Sequence, residues 1–193
     1  MYKNYIKPIL DFIIALLALP FLLLIILIIG ICIKLEDGGS IFYIAERRGK
    51  NGKPFKMYKF RSMKENAPQI RNADGSTYNS KDDSRLTKVG RFIRETSIDE
   101  LPQILNILFG HMSIVGNRPT LYSGKKFAKD SVQMRRNQLK PGITGYAQAY
   151  VRNSVSVEKR YEYDIKYIEE VSFILDLKII IKTITVIWQK KDI

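Results

Sequence analysis

Cysteine and histidine are almost absent from this chain: each occurs once in 193 residues, as Cys32 and His111. A lone cysteine excludes an intrachain disulfide, and the cysteine usage gives no argument for secretion. One cysteine and one histidine also cannot form a zinc site of the usual kind or a Cys–His catalytic pair. Metal chemistry in this chain would therefore have to use carboxylates.

Acidic residues are scarce as well: 19 Asp and Glu stand against 32 Lys and Arg, which gives a net charge of +13. This balance favours anionic partners, namely a phospholipid surface, nucleic acid or phosphorylated small molecules. No signature of an RNA- or DNA-binding fold accompanies the charge, so nucleic acid is not expected as a partner. The length suits one well-cored domain plus an accessory segment.

A long apolar run lies near the start of the chain. Residues Phe12–Ile33 (FIIALLALPFLLLIILIIGICI) continue for 22 positions without a charge. As a straight helix they would extend about 33 Å, enough to cross the hydrocarbon core of a bilayer. The run is too long for a secretory signal, and no small-x-small cleavage site follows it. Residues 1–36 are therefore predicted to be a membrane anchor, followed by a domain of residues 37–193.

Two arrangements of this anchor remain open. Basic residues flank both sides, Lys3 and Lys7 before it and Lys34 after it, so the positive-inside rule gives no orientation. Pro20 removes a backbone donor near the middle and predicts a kink there. Basic flanks and a central break suit a re-entrant hairpin with both ends in the cytoplasm. An ordinary spanning helix with a tolerated proline fits the same residues.

The remainder predicts an α+β fold: a small β-hairpin joined to a mainly helical domain. Two runs rich in aromatic and branched residues flank Asn51-Gly52, which favours a tight turn with positive φ, so residues 40–63 are predicted to form the hairpin. Residues 62–84 have no apolar period and are predicted to be a loop. The other predicted elements are helices at 86–94, 99–110 and 157–170 and a loop-rich stretch at 113–154.

The last predicted helix runs from about Phe173 to Gln189 and is amphipathic. Such a helix could lie in a membrane interface with Trp188 as an anchor, or it could pack into a core. Its apolar side is formed by Phe173, Leu177, Ile180, Ile181, Ile184, Ile187 and Trp188.

An acid pair, Asp99-Glu100, stands at the mouth of an apolar helix and has two interpretations. Ser97-x-x-Glu100 fits a capping box, and Asp99 in the first turn would complement the helix dipole. Alternatively, positive partial charge at the helix start keeps a carboxylate ionised, so that it can act as a nucleophile or hold Mg²⁺, with Arg94 one turn upstream to bind a phosphate. Pro102 would bend a helix beside the pair, which argues mildly against a purely structural role.

Four motifs carry a resemblance to a known family. They are KMYKFRSM, RFIRETSIDELPQILNIL, MSIVGNRP and KPGITGYAQ, and they stand in the order and spacing of the bacterial monotopic phosphoglycosyl transferases. Small single-domain members also begin with a hydrophobic segment like Phe12–Ile33. The resemblance implies a re-entrant membrane helix that penetrates one leaflet of the bacterial inner membrane, with the catalytic domain on the cytoplasmic face and amphipathic helices in the interface.

The resemblance also implies a reaction. By position, Asp99 corresponds to the nucleophile that attacks the β-phosphate of a UDP-sugar, and Glu100 corresponds to its partner. UMP leaves, a sugar-phosphoryl enzyme remains, and undecaprenyl phosphate then attacks the phosphorus to give the lipid diphosphate-sugar. Mg²⁺ is implied as cofactor, near Asp99. Phosphoryl transfer needs positioning and charge neutralisation more than a titrating base, so the scarcity of His and Cys is no obstacle.

The family's phosphate-binding positions correspond to basic residues in or beside the motifs. The resemblance implies this role for Lys59, Arg94 and Arg118, and it implies contacts of Arg152-Asn153 with the nucleotide-sugar. The stretch YVRNSVSVEKRYEYD is more similar to relatives that handle N-acetylated amino- or deoxyamino-sugars than to those that handle glucose or galactose.

This chain departs from the family pattern at three places. Leu19-Pro20 replaces the usual Ser-Pro in the membrane helix. Gly116-Asn117-Arg118-Pro119 stands where the sequence GPRP is common, so Asn117 replaces a proline. The 62–84 loop is longer than in the smallest relatives. Two other functions stay open on the residues alone: a direct glycosyltransferase that releases UDP, and a non-catalytic basic module that binds anionic lipid.

Overall fold

The fold is α+β, as predicted. The structure is a computed structural model that describes residues 1–68, 70, 78, 80, 83–124, 131–151 and 154–188. The helices are α1 (Lys7–Asp37), α2 (Lys88–Glu95), α3 (Gln103–Leu108), α4 (Val132–Arg136), α5 (Tyr146–Tyr150), α6 (Val157–Glu170) and α7 (Phe173–Trp188). The strands are β1 (Phe42–Arg48), β2 (Pro54–Phe60), β3 (Ser113–Val115) and β4 (Gly142–Thr144).

Helix α1 contains the predicted anchor and is helical on both sides of Pro20. The helix therefore continues through Pro20, and the kink predicted there stays a prediction. A proline removes one backbone hydrogen bond, and a long apolar helix keeps the bonds on either side of that position. By length and composition the helical stretch Tyr2–Asp37 could cross a membrane, and it is the one such helix in the described part of the chain.

One stripe of α1 is packed against the rest of the protein along the whole helix. The intervals between its buried positions are four or seven residues, which places them on a single helical face. The buried residues on this stripe are Lys7, Asp11, Ala15, Leu22, Ile29 and Ile33. The opposite face is apolar and exposed, as Leu17 and Phe21 illustrate at 69% and 71% exposure. Helix α1 thus lies along the domain and presents an apolar surface outward.

The predicted hairpin is confirmed. Strands β1 and β2 pair antiparallel from Phe42 opposite Phe60 to Arg48 opposite Pro54. The connection contains a short 3₁₀ turn, Lys50–Gly52, in which Asn51 and Gly52 have φ of 56° and 73°. The hairpin places the end of β2, with Lys59, beside the acid pair.

The segment predicted to be loop-rich contains regular structure that the sequence analysis missed. Strands β3 and β4 pair in parallel, Ser113 opposite Gly142 and Val115 opposite Thr144. Helices α4 and α5 also lie in this segment. These elements have three to five residues, which is too short for a period of 2 or 3.6 to be recognised.

Helices α6 and α7 complete the domain at the predicted positions; Gln189, the predicted end of the last helix, lies outside the described residues. Tyr167 and Ile168 of α6 and Ile179 of α7 form a buried core with Val115 of β3. Most of the predicted apolar side of α7 instead faces outward: Leu177, Ile181, Ile184, Ile187 and Trp188 are exposed. Core packing therefore does not account for that face.

Candidate active site

The acid pair lies in a short turn between α2 and α3. Asp99 and Glu100 belong to a 3₁₀ turn, Ile98–Glu100, and α3 begins only after Pro102. Pro102 stands at the N-cap position of α3, where its missing N–H costs nothing. The sequence predicted one helix bent at Pro102, whereas the structure has two elements that meet there.

The capping-box interpretation of the pair is wrong. Ser97 has a left-handed backbone, with φ of 59°, and its hydroxyl accepts no capping hydrogen bond. The Glu100 side chain accepts a hydrogen bond of 2.6 Å from Lys59 Nζ. Ser97 and Glu100 therefore do not form the reciprocal side-chain hydrogen bonds of a capping box.

Two cations contact the pair from different parts of the chain. Lys59, at the end of β2, lies 2.6 Å from Glu100 Oε1 and 3.8 Å from Asp99 Oδ2. Arg118, in the loop after β3, lies 3.5 Å from the same Glu100 oxygen, and its side chain is 59% exposed. The site thus has a half-buried lysine and a solvent-facing arginine beside the carboxylates.

The two carboxyl groups have opposite pKa shifts. Burial raises the pKa of Asp99, and the charge of Lys59 offsets this only in part, while the neighbouring Glu100 adds to it. Burial would also raise the pKa of Glu100, but Lys59 and Arg118 together lower it to about 2. Glu100 is therefore a firmly ionised, ion-paired group. Asp99 is the more basic of the two, contrary to the expectation that a helix start would favour its charged form.

The Asp99 carboxylate is buried, with 9% of the residue exposed. Within the described ranges, no side chain or backbone group hydrogen-bonds to that carboxylate, and its closest cation is Lys59 at 3.8 Å. The raised pKa makes this carboxylate more basic than usual. Because no hydrogen-bond donor among the described residues occupies its oxygens, their lone pairs stay available for a reacting partner.

The other predicted site residues differ in placement. Arg94 lies in the last turn of α2, and its charge acts to lower the pKa of Asp99, so it belongs to the same electrostatic cluster. Arg152 and Asn153 lie outside the described residues, and their predicted role stays a prediction.

The site residues fit a magnesium ion only if a substrate supplies further oxygens. In the ranges that the structure describes, no group of three or more His, Cys, Asp or Glu could hold a metal. Mg²⁺ is commonly bound by one or two carboxylates together with substrate phosphates. Asp99, with the adjacent Glu100, offers that donor set.

Close glycine contacts shape the turn that carries Arg118, and no role was predicted for these glycines from the sequence. A Cβ on Gly145 would lie 1.9 Å from the carbonyl oxygen of Gly116, and one on Gly142 would lie 2.1 Å from the Gly116 nitrogen. The KPGITG segment therefore approaches the turn before Arg118 backbone to backbone. The repeated glycines of the GITG motif were the signal that could have predicted this contact.

The chain matches the family model for bacterial sugar transferases over residues 2–190. It is 45% identical to the uncharacterized sugar transferase EpsL of Bacillus subtilis over 152 residues, covering 79% of this chain and 72% of that protein. It is 42% identical to a UDP-glucose:undecaprenyl-phosphate glucose-1-phosphate transferase of Klebsiella pneumoniae over 181 residues, covering 90% of this chain and 38% of that protein.

A third relative handles a different sugar. The chain is 36% identical to a UDP-N-acetylgalactosamine-undecaprenyl-phosphate N-acetylgalactosaminephosphotransferase of Aeromonas hydrophila over 188 residues, covering 95% of this chain and 44% of that protein. The chain thus spans less than half the length of these two named transferases, and the match includes the acid pair, the cations around it and the apolar helix. This chain belongs to the bacterial sugar transferase family.

Proposed function

We propose that this protein transfers a sugar-1-phosphate from a UDP-sugar to undecaprenyl phosphate and so begins the assembly of a membrane-bound glycan. The observation that carries the proposal is the pairing of a buried, unengaged Asp99 with a Glu100 that is neutralised by Lys59 and Arg118. This arrangement provides one carboxylate for reaction and cations for phosphate oxygens. The named relatives in Klebsiella and Aeromonas support the substrate classes.

The proposed reaction has two displacements at one phosphorus atom. An Asp99 carboxylate oxygen attacks the β-phosphorus of the donor, the bond from that phosphorus to the bridging oxygen breaks, and UMP leaves with the electron pair. A phosphate oxygen of undecaprenyl phosphate then attacks the same phosphorus, and the aspartyl–phosphorus bond breaks. The products are the undecaprenyl diphosphate-sugar and the free carboxylate of Asp99.

The opposite pKa shifts support separate roles for the two acids. Because burial raises the pKa of Asp99, its carboxylate is more basic than usual and a better nucleophile toward phosphorus. Glu100 stays ionised and holds Lys59 in place through their 2.6 Å contact. Lys59 and Arg118 are then positioned to neutralise charge on the transferring phosphoryl group, with Arg94 near them.

Magnesium would supply further positive charge beside the donor diphosphate. Asp99 and Glu100 would hold the ion together with donor phosphate oxygens, and the bound ion would neutralise negative charge on the diphosphate. Loss of UMP release on chelation, restored by added Mg²⁺, is the expected result.

Helix α1 supports attachment to a single membrane face. Its N-terminal part is bound to the domain through Asp11, which accepts hydrogen bonds from Ser113 Oγ at 2.6 Å and Ile114 N at 3.2 Å. Its C-terminal end is bound through Glu36, which accepts from the backbone of Lys88 at 2.6 Å. Both ends therefore contact the same domain, which fits re-entry into one leaflet, and we infer the cytoplasmic face of the bacterial inner membrane.

The exposed apolar faces of α1 and α7 would rest in that leaflet, so that a water-soluble donor and a long-chain lipid acceptor meet at the acid pair. An N-acetylated amino- or deoxyamino-sugar is the proposed sugar class, on the similarity of residues 150–164 alone. A screen of UDP-sugars scored by UMP release tests that class.

The decisive experiment is to trap the intermediate. Enzyme in detergent or vesicles is incubated with the UDP-sugar alone, and intact-protein mass spectrometry is expected to find one added sugar-phosphate, located on Asp99 by peptide mapping. Asp99→Asn should carry no adduct and should lose UMP release by at least about 1,000-fold, because a neutral amide cannot replace the nucleophile.

Product identity separates the alternatives. Release of UDP instead of UMP would overturn the proposal in favour of direct glycosyl transfer. Binding that ignores UDP-sugars and follows only ionic strength would overturn it in favour of a lipid-binding module. A normally folded Asp99→Asn protein with near wild-type turnover would exclude Asp99 as the nucleophile.

A further inference from the structure

Arg118 reaches the acid pair from an exposed loop, and the arrangement that holds this loop lies outside the acid pair itself. The backbone N–H of Arg48 donates to Thr120 O at 2.8 Å, and the backbone N–H of Tyr122 donates to Glu46 O at 3.3 Å. The residues after Arg118 thus extend the edge of β1. These bonds fix the far side of the loop but not the carbonyl of Arg118.

That carbonyl is held by a buried arginine on α4. Arg136 Nη2 donates to Arg118 O at 2.5 Å, and Arg136 Nε donates to Asp164 Oδ2 of α6 at 2.5 Å. Arg136 and Asp164 are each 3% exposed. The Arg136 guanidinium also lies over the ring of Tyr161, 4.7 Å from its centre.

The contacts form a chain from α6 to the site. Asp164 orients the Arg136 guanidinium, which binds the Arg118 backbone, and the Arg118 side chain reaches Glu100. An arginine on an unsupported loop would sample many backbone and side-chain conformations, and ordering them would cost free energy at each encounter with a substrate. A fixed backbone removes the backbone part of that cost.

We propose that the buried Arg136–Asp164 pair is a positioning device for Arg118, and that it acts on donor use only through Arg118. This inference rests on the proposed function, which gives Arg118 its role on the donor phosphates. Arg136 touches neither acid of the pair. It is therefore a positioning residue and not a catalytic one.

This arrangement needs a guanidinium, because one nitrogen of Arg136 donates to Asp164 and another donates to the Arg118 carbonyl. A lysine at position 136 keeps the charge and can pair with Asp164, but a single ammonium cannot reproduce the planar two-way fork. Arg136→Lys is thus expected to release the Arg118 carbonyl while it retains most of the buried ion pair. Asp164→Asn provides a second variant, which removes the charge that orients Arg136 and keeps the shape of the side chain.

The test is a double-mutant cycle between positions 136 and 118 in the full-length, membrane-reconstituted protein. Arg118→Ala alone should lower kcat/KM for the UDP-sugar by about 10- to 100-fold, as expected for a lost charge-assisted contact. Arg136→Lys alone should lower it by roughly 10-fold, and by less than about twofold in the Arg118→Ala background. Asp164→Asn should follow the same pattern with a smaller effect.

The control is Arg135, the residue that precedes Arg136 on α4. Arg135 forms an exposed pair with Glu169 at 3.2 Å, so Arg135→Lys changes the same residue type without touching Arg118. It should leave kcat/KM unchanged. Hydrogen exchange gives a readout that needs no turnover: Arg136→Lys should speed exchange in peptides covering 46–49 and 116–124, and Arg135→Lys should not.

The outcomes separate this inference from the proposed function. Equal effects of Arg136→Lys in both backgrounds, or unchanged exchange at 116–124, would overturn the positioning role even if the wild type releases UMP. Absence of UMP release in the wild type would instead overturn the proposed function, and the exchange experiment would still decide whether Arg136 holds the loop. A lowered melting temperature with independent, multiplicative effects on rate would show a merely structural pair.

Discussion

Lys7 and Asp176 stand 169 positions apart in the chain, and their side chains meet at 2.7 Å in the protein interior. Asp176 also accepts hydrogen bonds of 2.6 Å from the hydroxyl groups of Tyr2 and Tyr167. Burial and the Asp176 charge raise the pKa of Tyr167, so that phenol stays a proton donor. The start of the apolar helix is thereby bound to the last helix of the domain.

Breaking this pair at one end should destabilise the protein by about 3–5 kcal/mol, because the remaining buried charge has lost its partner. Lys7→Met leaves Asp176 without a cation, and Asp176→Asn leaves Lys7 with only the more distant Asp11, at 3.9 Å. The double variant Lys7→Met/Asp176→Asn should recover part of the loss. Thermal unfolding in detergent measures all three. Additive losses in the double variant would contradict a coupled pair.

Polar substitutions on the outward face of α7 should weaken membrane binding without weakening the fold. Ile181 and Ile184 are 56% and 53% exposed, so Ile181→Gln/Ile184→Gln removes apolar contact with lipid and little core packing. Flotation with liposomes should recover less of this variant at an unchanged melting temperature. Lys178→Gln on the same helix is the control for a general effect of substitution. Equal flotation of the variant and the wild type would exclude α7 as a lipid contact.

Loss of Lys59 should move the acidic limb of the pH–rate profile to higher pH. Lys59 lowers the pKa of both acids, whereas burial raises both, so each carboxyl becomes harder to ionise when the lysine is removed. Because the proposed reaction needs ionised Asp99, the residual kcat/KM of Lys59→Met should fall at a pH where the wild type is still fully active.

The measurement is UMP release between about pH 4 and 8, with Lys56→Met as the control. Lys56 lies on the same strand with its side chain exposed, so its loss should leave the profile unshifted. A Lys59→Met profile that is lower but not displaced would mean that Lys59 does not control the ionisation of the acids.

Adding a methyl group at Gly145 should disrupt the turn that carries Arg118. The alanine Cβ would lie 1.9 Å from Gly116 O, an approach that only backbone movement can relieve. Gly145→Ala should cost about 1–3 kcal/mol of stability and lower donor use as well, because the movement displaces Arg118. In Gly30→Ala the nearest atom is the end of the Ile41 side chain at 3.1 Å, so that control should be mild. Normal donor kinetics in Gly145→Ala would contradict the coupling of this glycine to Arg118.

Local patterns in the sequence determined the elements whose signals are short in range. The uncharged run Phe12–Ile33 specified the apolar helix, Asn51-Gly52 specified positive φ in the hairpin turn, and the apolar period of residues 157–170 specified α6. Each of these depends on neighbours within one or two turns of chain, so the residues themselves carry the information. The family motifs similarly predicted the acid pair as the reacting centre, and that role stays a prediction.

The tertiary structure alone decided how the acid pair behaves. The capping box is a local pattern, and it does not form here. The Glu100 side chain instead binds Lys59, which is 41 residues away in the chain. Burial raised the pKa of Asp99 where a local helix-dipole argument predicted stabilisation of its charge. The support of Arg118 by Arg136 likewise depends on distant segments meeting. Periodicity is a property of neighbours, whereas burial and ion pairing arise only when the whole chain closes around the site.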